Sequence, residues 1–505
     1  MEHLISAPMT TVTTPLPVGR YRRTQPKHFW NLAFTEMWER FSYYGLSAVL
    51  TYYLIYTVAE GGLGMNETAA VSIVGAYGGA LYLAQLLGAW LADRVVSARR
   101  LVFWGAVIIT AGHVSLALLH GIPSLALGIV LIAVGTGLLK TNITSIIGVL
   151  FGGWSREARD SGFSYFYLSI NLGAILGPLA TGWLQSNLGF HWAFGIAAVG
   201  MTAALIQYSV RMRALPAESD VVPNPIAKPG LFKAAAWALL GLVVVALLAV
   251  WGVIRADNLN YVVGVMIAAA AISYFAVILS SKHIDGNARK RVRGYIPLWL
   301  AETLYYGFYL QLFTTVPLIV TARVDLDLNG WIFPEGWFSV VGTIALVLII
   351  PLIATVWKES WIGRLLPAQK FPLGFLFIGS AYLLLITTAF STGKTVPVWL
   401  IIVALVLAGI SEVFVGPIGF SVVTRIAPGR FKTQLVALKI LTLGAGSTLA
   451  ALFATLYTIV PELTFFVLIG GVAVLAGIAV LVGARSIHRA LDTGIDETGE
   501  PLEAP

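Results

Sequence analysis

FWNLAFTEMWERFSYYGLSAVLTYYLIYTV, residues 29–58, is a mostly apolar run that is interrupted by two glutamates and one arginine. A helix needs about 20 predominantly apolar residues to cross a bilayer, and this run is long enough. It therefore predicts a membrane-spanning helix near the start of the chain. Its charges call for an explanation, because ionisable side chains are costly inside a bilayer.

The composition of the whole chain also indicates a membrane protein. Of its 505 residues, 58% are hydrophobic and 11% are charged, whereas a soluble domain has about 25% charged residues. Such a chain cannot cover a water-facing surface, which excludes soluble domains, a disordered protein, a collagen and a coiled coil. Because the chain has no cysteine, disulfides, thiolate metal sites and cysteine nucleophiles are excluded as well.

Thirteen further stretches are long and apolar enough to cross a membrane, which predicts an all-α polytopic membrane protein. The fourteen predicted spans are 29–58, 68–93, 101–120, 123–151, 161–185, 190–210, 234–254, 260–280, 295–322, 334–357, 371–390, 396–424, 433–458 and 463–484.

The positions of Lys and Arg predict how the spans are oriented. With the N-terminus in the cytoplasm, 26 of the 32 Lys and Arg residues fall on the cytoplasmic side, three in the outside loops and three within spans. Cytoplasmic loops carry an excess of Lys and Arg, so we expect both termini in the cytoplasm. The formal net charge of +8 then reflects topology and does not indicate a nucleic-acid partner.

The spans predict two six-helix bundles separated by an inserted helical hairpin. We expect a cytoplasmic N-terminal tail at 1–28, the first bundle at 29–213, a linker with the hairpin at 214–293, the second bundle at 294–486 and a cytoplasmic C-terminal tail at 487–505. Twin six-helix halves are typical of major facilitator transporters, which hold their substrate between the halves near the bilayer midplane.

The first span carries the densest group of charges in the chain. Its members are spaced to share one helical face, which we expect to line an interior cavity: Glu36, Glu39, Arg40, Tyr43, Tyr44 and Ser47. A carboxyl that can take up a proton beside an arginine is a candidate for proton coupling. The alternative is a buried ion-pair network that only holds helices together.

The other intramembrane polar groups are distributed over both halves. Lys140 requires an anion, either a protein carboxylate or a substrate carboxylate, while Asn171 is a candidate ligand or an interhelical hydrogen-bonding group. In the second half, Lys439 is expected either to pair with Glu302 or Glu412 or to bind the substrate. Acids and bases in both halves fit a charged or zwitterionic substrate held between them.

The first-span motif Glu36-x-x-Glu39-Arg40-Phe-x-Tyr43-Tyr44-Gly45 resembles the first-helix signature of the proton-coupled oligopeptide transporters, a branch of the major facilitator superfamily. Four further segments resemble the same family and occur in the same order: Gly88-x-x-Leu-Ala-Asp93-Arg94, Gly135-x-Gly-Leu-Leu-Lys140-x-Asn142, Phe166-Tyr167-x-x-Ile-Asn171-x-Gly173, and Glu412-x-x-x-x-Pro417-x-Gly419 with Ile426-Ala427-Pro428. The resemblance covers about residues 29–486, and the two additional central helices match the bacterial members.

The resemblance implies a role for each residue that matches a motif. It implies that Glu36, Glu39 and Arg40 take part in proton coupling, and that Lys140 binds the peptide carboxylate together with Arg40. It implies further peptide contacts by Tyr43, Tyr44, Tyr82 and Asn171, with Glu412 as the site for the peptide amino group. Asp93 and Arg94 would belong to a cytoplasmic gating loop.

The chain departs from the family pattern at several pocket positions. Ser47 and Leu310 stand where the family has an arginine and a glutamate that pair as an outer gate, so losing both leaves no unpaired buried charge. Gly342 replaces an asparagine and Lys439 replaces a tryptophan. Glu302 is an additional acid, which we expect to partner Lys439 or to act, like Glu412, as a further proton site.

The resulting hypothesis is a proton-coupled symporter of the cell membrane, and not an enzyme. It would take up di- and tripeptides or related zwitterions as a monomer, with protons as the coupling ion and no cofactor. The main alternative is a diverged major facilitator transporter or exporter of another small organic ion or drug-like solute. A non-transporting sensor or a channel is less consistent with the short tails and with charges in both halves.

Overall fold

The computed structural model describes residues 25–152, 154–282, 284–359, 365–428 and 431–493. The predicted tails therefore lie outside the described residues up to position 24 and from position 494 onwards. In the described part of the chain, sixteen α-helices follow one another as α1 Phe29–Ile55, α2 Glu67–Arg94, α3 Ala98–Leu118, α4 Gly121–Leu150, α5 Arg156–Leu188, α6 Phe190–Arg211, α7 Lys228–Val250, α8 Leu259–Ser280, α9 Gly286–Tyr309, α10 Thr315–Arg323, α11 Phe338–Glu359, α12 Pro367–Leu384, α13 Val398–Val413, α14 Gly416–Ile426, α15 Lys432–Ile459 and α16 Glu462–Leu491.

Thirteen helical segments of the described chain are long and apolar enough to cross a membrane. The first helix, α1, is a fourteenth segment of 27 residues that carries the charged cluster. Two spans consist of two helices each: α9 continues through a 3-10 turn at Leu310–Phe313 into α10, and α13 is followed by α14. The predicted all-α membrane fold is confirmed.

The ninth span starts earlier than the sequence predicts. Helix α9 begins at Gly286, inside the segment expected to be linker, because the basic residues of 286–294 continue the helix beyond its apolar part. Glu302 consequently lies deep in α9 and not near its start.

The helices pack within two groups that match the order of the chain. In the first, α1 lies along α5 and α6, and α3 lies along α4. In the second, α9 packs against α15 and α16, and α12 packs against α16. Helix α8 packs against α2 and α15, whereas none of the described residues of α7 is buried.

We call the face where α1 begins the near side and the face where α1 ends the far side. On the far side the two groups touch: Thr51 donates a hydrogen bond of 2.5 Å to the carbonyl of Phe313, and Tyr56 donates one to the carboxylate of Glu335. Helix α2 also packs closely against α15 there, because Gly78 leaves room for Ser447.

On the near side the groups are separated by a cavity of about 410 Å³ that is open to solvent. Its walls come from α2, α4 and α15, and the segment 212–227 between α6 and α7 lies at its edge through residues such as Glu218 and Pro223. The structure is therefore closed between the groups on the far side and open on the near side.

Short strands occur only in the far-side connections of the described chain. Strand β1, Val324–Asp325, pairs in parallel with β4, Val396–Pro397. Strand β2, Asp327–Leu328, pairs antiparallel with β3, Trp331–Ile332. They connect the ends of α10 and α12 to the helices that follow.

Candidate functional site

Arg40 and Glu39 form a paired charge in the middle of α1. The guanidinium donates to both carboxylate oxygens of Glu39, over 2.5 Å and 2.8 Å. Thr136 on α4 donates a third hydrogen bond, of 3.1 Å, to the same carboxylate. Glu39 has no exposed surface, so its charge is compensated entirely by these neighbours.

Glu36 lies one turn before Arg40 and belongs to the same network. Its Oε1 forms an ion pair with the ammonium of Lys140 on α4 and lies 3.7 Å from Nε of Arg40. Among the described residues, its Oε2 has no hydrogen-bond partner. Two acids and two bases thus balance each other in the first bundle, and Lys140 is the member whose side chain is partly exposed, at 20%.

Tyrosines surround this network on the side of the second bundle. The guanidinium carbon of Arg40 lies 4.9 Å from the ring centre of Tyr43 and 5.9 Å from that of Tyr44, distances at which an arginine is attracted to a ring. Tyr82 on α2 interacts with both tyrosines. The structure therefore brings the predicted residues of α1, α2 and α4 together.

Residues from the two groups of helices face a common space beyond Tyr44. Tyr44 is within electrostatic range of Tyr167 on α5 and of Glu412 on α13. Tyr309 on α9 interacts with all three of these residues. Asn171 is 8% exposed and donates a hydrogen bond of 2.8 Å to the carbonyl of Tyr167. Residues of both groups thus interact electrostatically with one another here, and the ligand roles of the predicted site residues stay predictions.

Glu302 and Lys439 form an ion pair between α9 and α15, and both side chains are fully buried. The Lys439 ammonium also lies 4.7 Å from the ring centre of Phe420 and 5.0 Å from that of Tyr306. The pairing expected for Lys439 is confirmed, with Glu302 as the partner. Since Lys439 has no exposed surface, it does not reach the site in this structure as a substrate ligand would.

Glu412 is connected to this pair through Tyr306. The Tyr306 hydroxyl donates to Oε1 of Glu412 over 3.1 Å and accepts a long hydrogen bond of 3.4 Å from Lys439. Among the described residues, Oε2 of Glu412 has no hydrogen-bond partner. Glu412 therefore forms no ion pair of its own with a cation among the described residues.

The local sequence after α13 makes room for these carboxylates. Helix α13 ends at Val413, and α14 begins at Gly416. Pro417 follows in the first turn of α14, a position that suits its fixed φ and missing backbone N–H. A Cβ at Gly416 would overlap Oε1 of Glu412, and a Cβ at Gly419 would overlap Oε1 of Glu302. The two glycines allow the backbone of α14 to lie directly on both acids.

The positions that depart from the family pattern also have a structural explanation. Ser47 and Leu310 line one small cavity of about 20 Å³, so the two residues that replace the family's charged pair lie at the same place. Gly342 on α11 packs against the backbone of Gly409 on α13 and borders a second, small and apolar cavity of about 30 Å³ together with Tyr309.

Asp93 and Arg94 lie at the near-side end of α2, away from the buried charges. Their side chains contact each other over 3.0 Å. Asn224 donates to the side chain of Asp93 over 2.7 Å, and the backbone N–H of Ile226 donates to the carbonyl of Arg94 over 2.9 Å. The predicted gating loop therefore holds the segment 212–227 in place.

Sequence reasoning missed three residues of the site and its gate. Thr136 and Tyr306 are neutral, and neutral polar residues are common in spans, so nothing in the sequence set them apart. Glu335 is 7% exposed at the far-side contact and was overlooked as the second residue of the predicted span 334–357. An acid at the start of an otherwise apolar span was the signal that could have identified it.

A model of the POT family matches residues 99–468. The chain is 33% identical over 477 residues to the uncharacterized transporter YclF of Bacillus subtilis, covering 92% of this chain and 95% of that protein. It is 31% identical over 483 residues to the di-/tripeptide transporter of Lactococcus lactis subsp. cremoris, covering 92% and 96% of the two chains.

Solved structures are similar over the same length. The crystal structure of a peptide transporter POT in complex with sulfate has a TM-score of 0.87 at 35% identity and covers 93% of this chain and 97% of its own. The crystal structure of a POT family transporter in complex with 5-aminolevulinic acid has a TM-score of 0.85 at 30% identity and covers 92% and 97%.

Proposed function

The chain belongs to the POT family of transporters, and on that premise we propose that it takes up di- and tripeptides or related zwitterions together with protons. The observation that best supports this proposal is the distribution of charge between the two groups of helices. Arg40 and Lys140 in the first group suit a substrate carboxylate, and the uncompensated Glu412 in the second suits a substrate ammonium. A zwitterion placed between them would satisfy both ends.

Proton coupling follows from the pairing within the first group. When Glu36 and Glu39 are ionised, they occupy Lys140 and Arg40, so neither cation is free for a substrate. A proton on Glu36 would release Lys140, and a proton on Glu39 would release Arg40. Loss of the proton would restore the ion pairs and expel the substrate carboxylate.

The conformation supports transport by alternating access. The groups are in contact on the far side and apart on the near side, which is one of the two arrangements that such a transporter alternates between. With the near side in the cytoplasm, as the distribution of Lys and Arg favours, this is the state that releases substrate into the cell. We propose that the protein acts as a monomer in the cell membrane, with no cofactor besides the proton.

Purified protein in proteoliposomes tests the proposal with radiolabelled dialanine and an inward proton gradient. We expect accumulation that depends on the gradient in the wild type and its loss in Glu39→Gln. The matched control is Glu60→Gln, an exposed acid on the far side that bonds to Thr57. Accumulation of dialanine in Glu39→Gln that still follows the proton gradient would contradict the coupling role.

The second candidate is transport of another small organic ion by the same fold. It is favoured by the altered pocket, where Gly342 borders an apolar cavity and Lys439 is buried with Glu302. A screen of ligand-induced thermal stabilisation with dialanine, single amino acids and organic anions distinguishes the two functions.

A further inference from the structure

Glu302, Glu412 and Lys439 in the second group of helices interact with one another and carry charges that do not cancel. Of the described side chains, Lys439 is the cation that serves both Glu302 and Glu412, and it forms its ion pair with Glu302. In a site of low dielectric, a charged side chain that is already held in an ion pair is not available to pair with another group. Whether Lys439 pairs with Glu302 or with Glu412 therefore sets the charge that Glu412 presents to the space between the groups.

We propose that Glu302 is a positioning residue that determines substrate specificity by holding Lys439 away from Glu412. With Lys439 held, Glu412 keeps an uncompensated carboxylate for the ammonium of the substrate. The proposal rests on the proposed function, since it concerns the group that recognises the amino end of a zwitterion.

The contacts show a short route that Lys439 would take if Glu302 did not hold it. Its ammonium already lies 3.4 Å from the Tyr306 hydroxyl, which bonds to Glu412 over 3.1 Å. Only a shift of the flexible lysine side chain toward that hydroxyl is needed to bring its charge to Glu412. Lysine carries its charge on a four-carbon stem with rotatable bonds, so such a shift needs no movement of the helices.

The packing around Glu302 indicates that, of the two residues in the ion pair, Glu302 is the one whose side chain is fixed in place. It has no exposed surface, and the backbone of α14 at Gly419 lies against its carboxylate. The titratable and charged groups that face it are Lys439 from α15, Tyr295 and Tyr306 from its own helix, and Glu412 from α13. Glu302 is therefore confined to the lysine, whereas the lysine has a second acceptor within reach.

The test measures binding of dialanine and of N-acetyl-dialanine, which lacks the ammonium, to purified full-length protein. The substitution Glu302→Gln keeps the shape of the side chain but removes its negative charge. Lys439 would then pair with Glu412 and neutralise it. We expect dialanine affinity to fall about tenfold, the size of one hydrogen bond to a charged group, while N-acetyl-dialanine binding stays unchanged. Melting temperatures measured in parallel report on folding.

The double variant Glu302→Gln/Lys439→Met decides the interpretation. It removes the displaced lysine as well, so dialanine affinity should return to within about twofold of the wild type, the spread expected of independent sites. The proposal is overturned if Glu302→Gln binds dialanine like the wild type, or if the double variant binds as weakly as Glu302→Gln. If the wild type itself does not bind dialanine, the proposed function fails and this inference fails with it.

Discussion

Trp337 donates its indole N–H to the backbone carbonyl of Leu179 over 2.9 Å, and this hydrogen bond joins the start of α11 to α5 on the far side. Gly336 and Gly182 approach each other closely beside it. The bond spans the two groups of helices, so it must break when the far side opens.

Replacing Trp337 with Phe should therefore favour the open far side. Removing the donor takes this hydrogen bond away from the closed state, which costs about 1 kcal/mol. Because the chain has no cysteine, a single Val74→Cys in the far-side cavity can report opening to a membrane-impermeant maleimide. We expect labelling to become at least about fivefold faster, since 1.4 kcal/mol corresponds to a tenfold change.

The control for this measurement is Trp331→Phe, because Trp331 is half exposed in the same connection. Equal labelling rates in both variants would mean that the indole hydrogen bond does not contribute to closure.

Gly419→Ala should disrupt the Glu302–Lys439 pair. The added methyl group would overlap the Glu302 carboxylate and lie 2.8 Å from Cε of Lys439, and overpacking of this kind costs about 1–3 kcal/mol. We expect a clearly lower melting temperature in detergent. Gly471→Ala in α16, where a Cβ would meet nothing within 4 Å, serves as the control. A melting temperature of Gly419→Ala at the control value would show that α14 adjusts without cost.

The cavity shared by Ser47 and Leu310 should accept the charged pair that the family has there. Ser47→Arg or Leu310→Glu alone introduces an unpaired buried charge, a change that costs about 3–5 kcal/mol. The double variant supplies both partners, so it should recover much of the stability that each single variant loses. Melting temperatures of the four proteins form a double-mutant cycle, and purely additive losses would refute the expected pairing.

The contact between Asp220 and the start of α3 should make docking of the segment 212–227 sensitive to pH. A hydrogen bond from Ser97, followed by the charges of Arg99 and Arg100, lowers the pKa of Asp220 below its ordinary value. The contact is thus complete at neutral pH and is lost only as the pH falls below about 4, the ordinary aspartate value. Asp220→Asn removes it at every pH.

Limited trypsin digestion at pH 7.5 measures this contact, since Arg211 and Arg213 adjoin the segment. The aspartate is partly exposed, so the effect is that of a weak ion pair, and we expect cleavage about two- to fivefold faster in Asp220→Asn. Asp257→Asn, next to Arg255 in the far-side turn of the hairpin, is the matched control. Cleavage at the wild-type rate in Asp220→Asn would indicate that Asn224 and Ile226 suffice to hold the segment.

Several parts of the structure were predictable because charges are expensive in a bilayer. The spans followed from apolar length, and the cost of an isolated lysine predicted a carboxylate partner for Lys439. The sequence left Glu302 and Glu412 as equal candidates. The choice between them depends on the break between α13 and α14 and on the backbone space at Gly419, which no hydrophobic pattern reveals.

Other features had no signal in the sequence. Thr136 and Tyr306 bond to buried carboxylates, but a threonine or tyrosine in a span is common. The start of α9 was missed because its first residues are basic and the apolar criterion excluded them. Docking of 212–227 on α2 is carried partly by backbone hydrogen bonds, and these do not depend on residue type.

The charges of the candidate site also have an electrical consequence. Four carboxylates and three cations belong to its two connected networks, namely Glu36, Glu39, Arg40, Lys140, Glu302, Glu412 and Lys439. Fully ionised, the empty site carries one surplus negative charge, which a proton cancels and a zwitterion leaves unchanged. Membrane voltage would then act on the return of the empty carrier, with about 2.3 kcal/mol per 100 mV for a full crossing. An interior-negative potential would push that charge outward and reset the carrier for the next substrate.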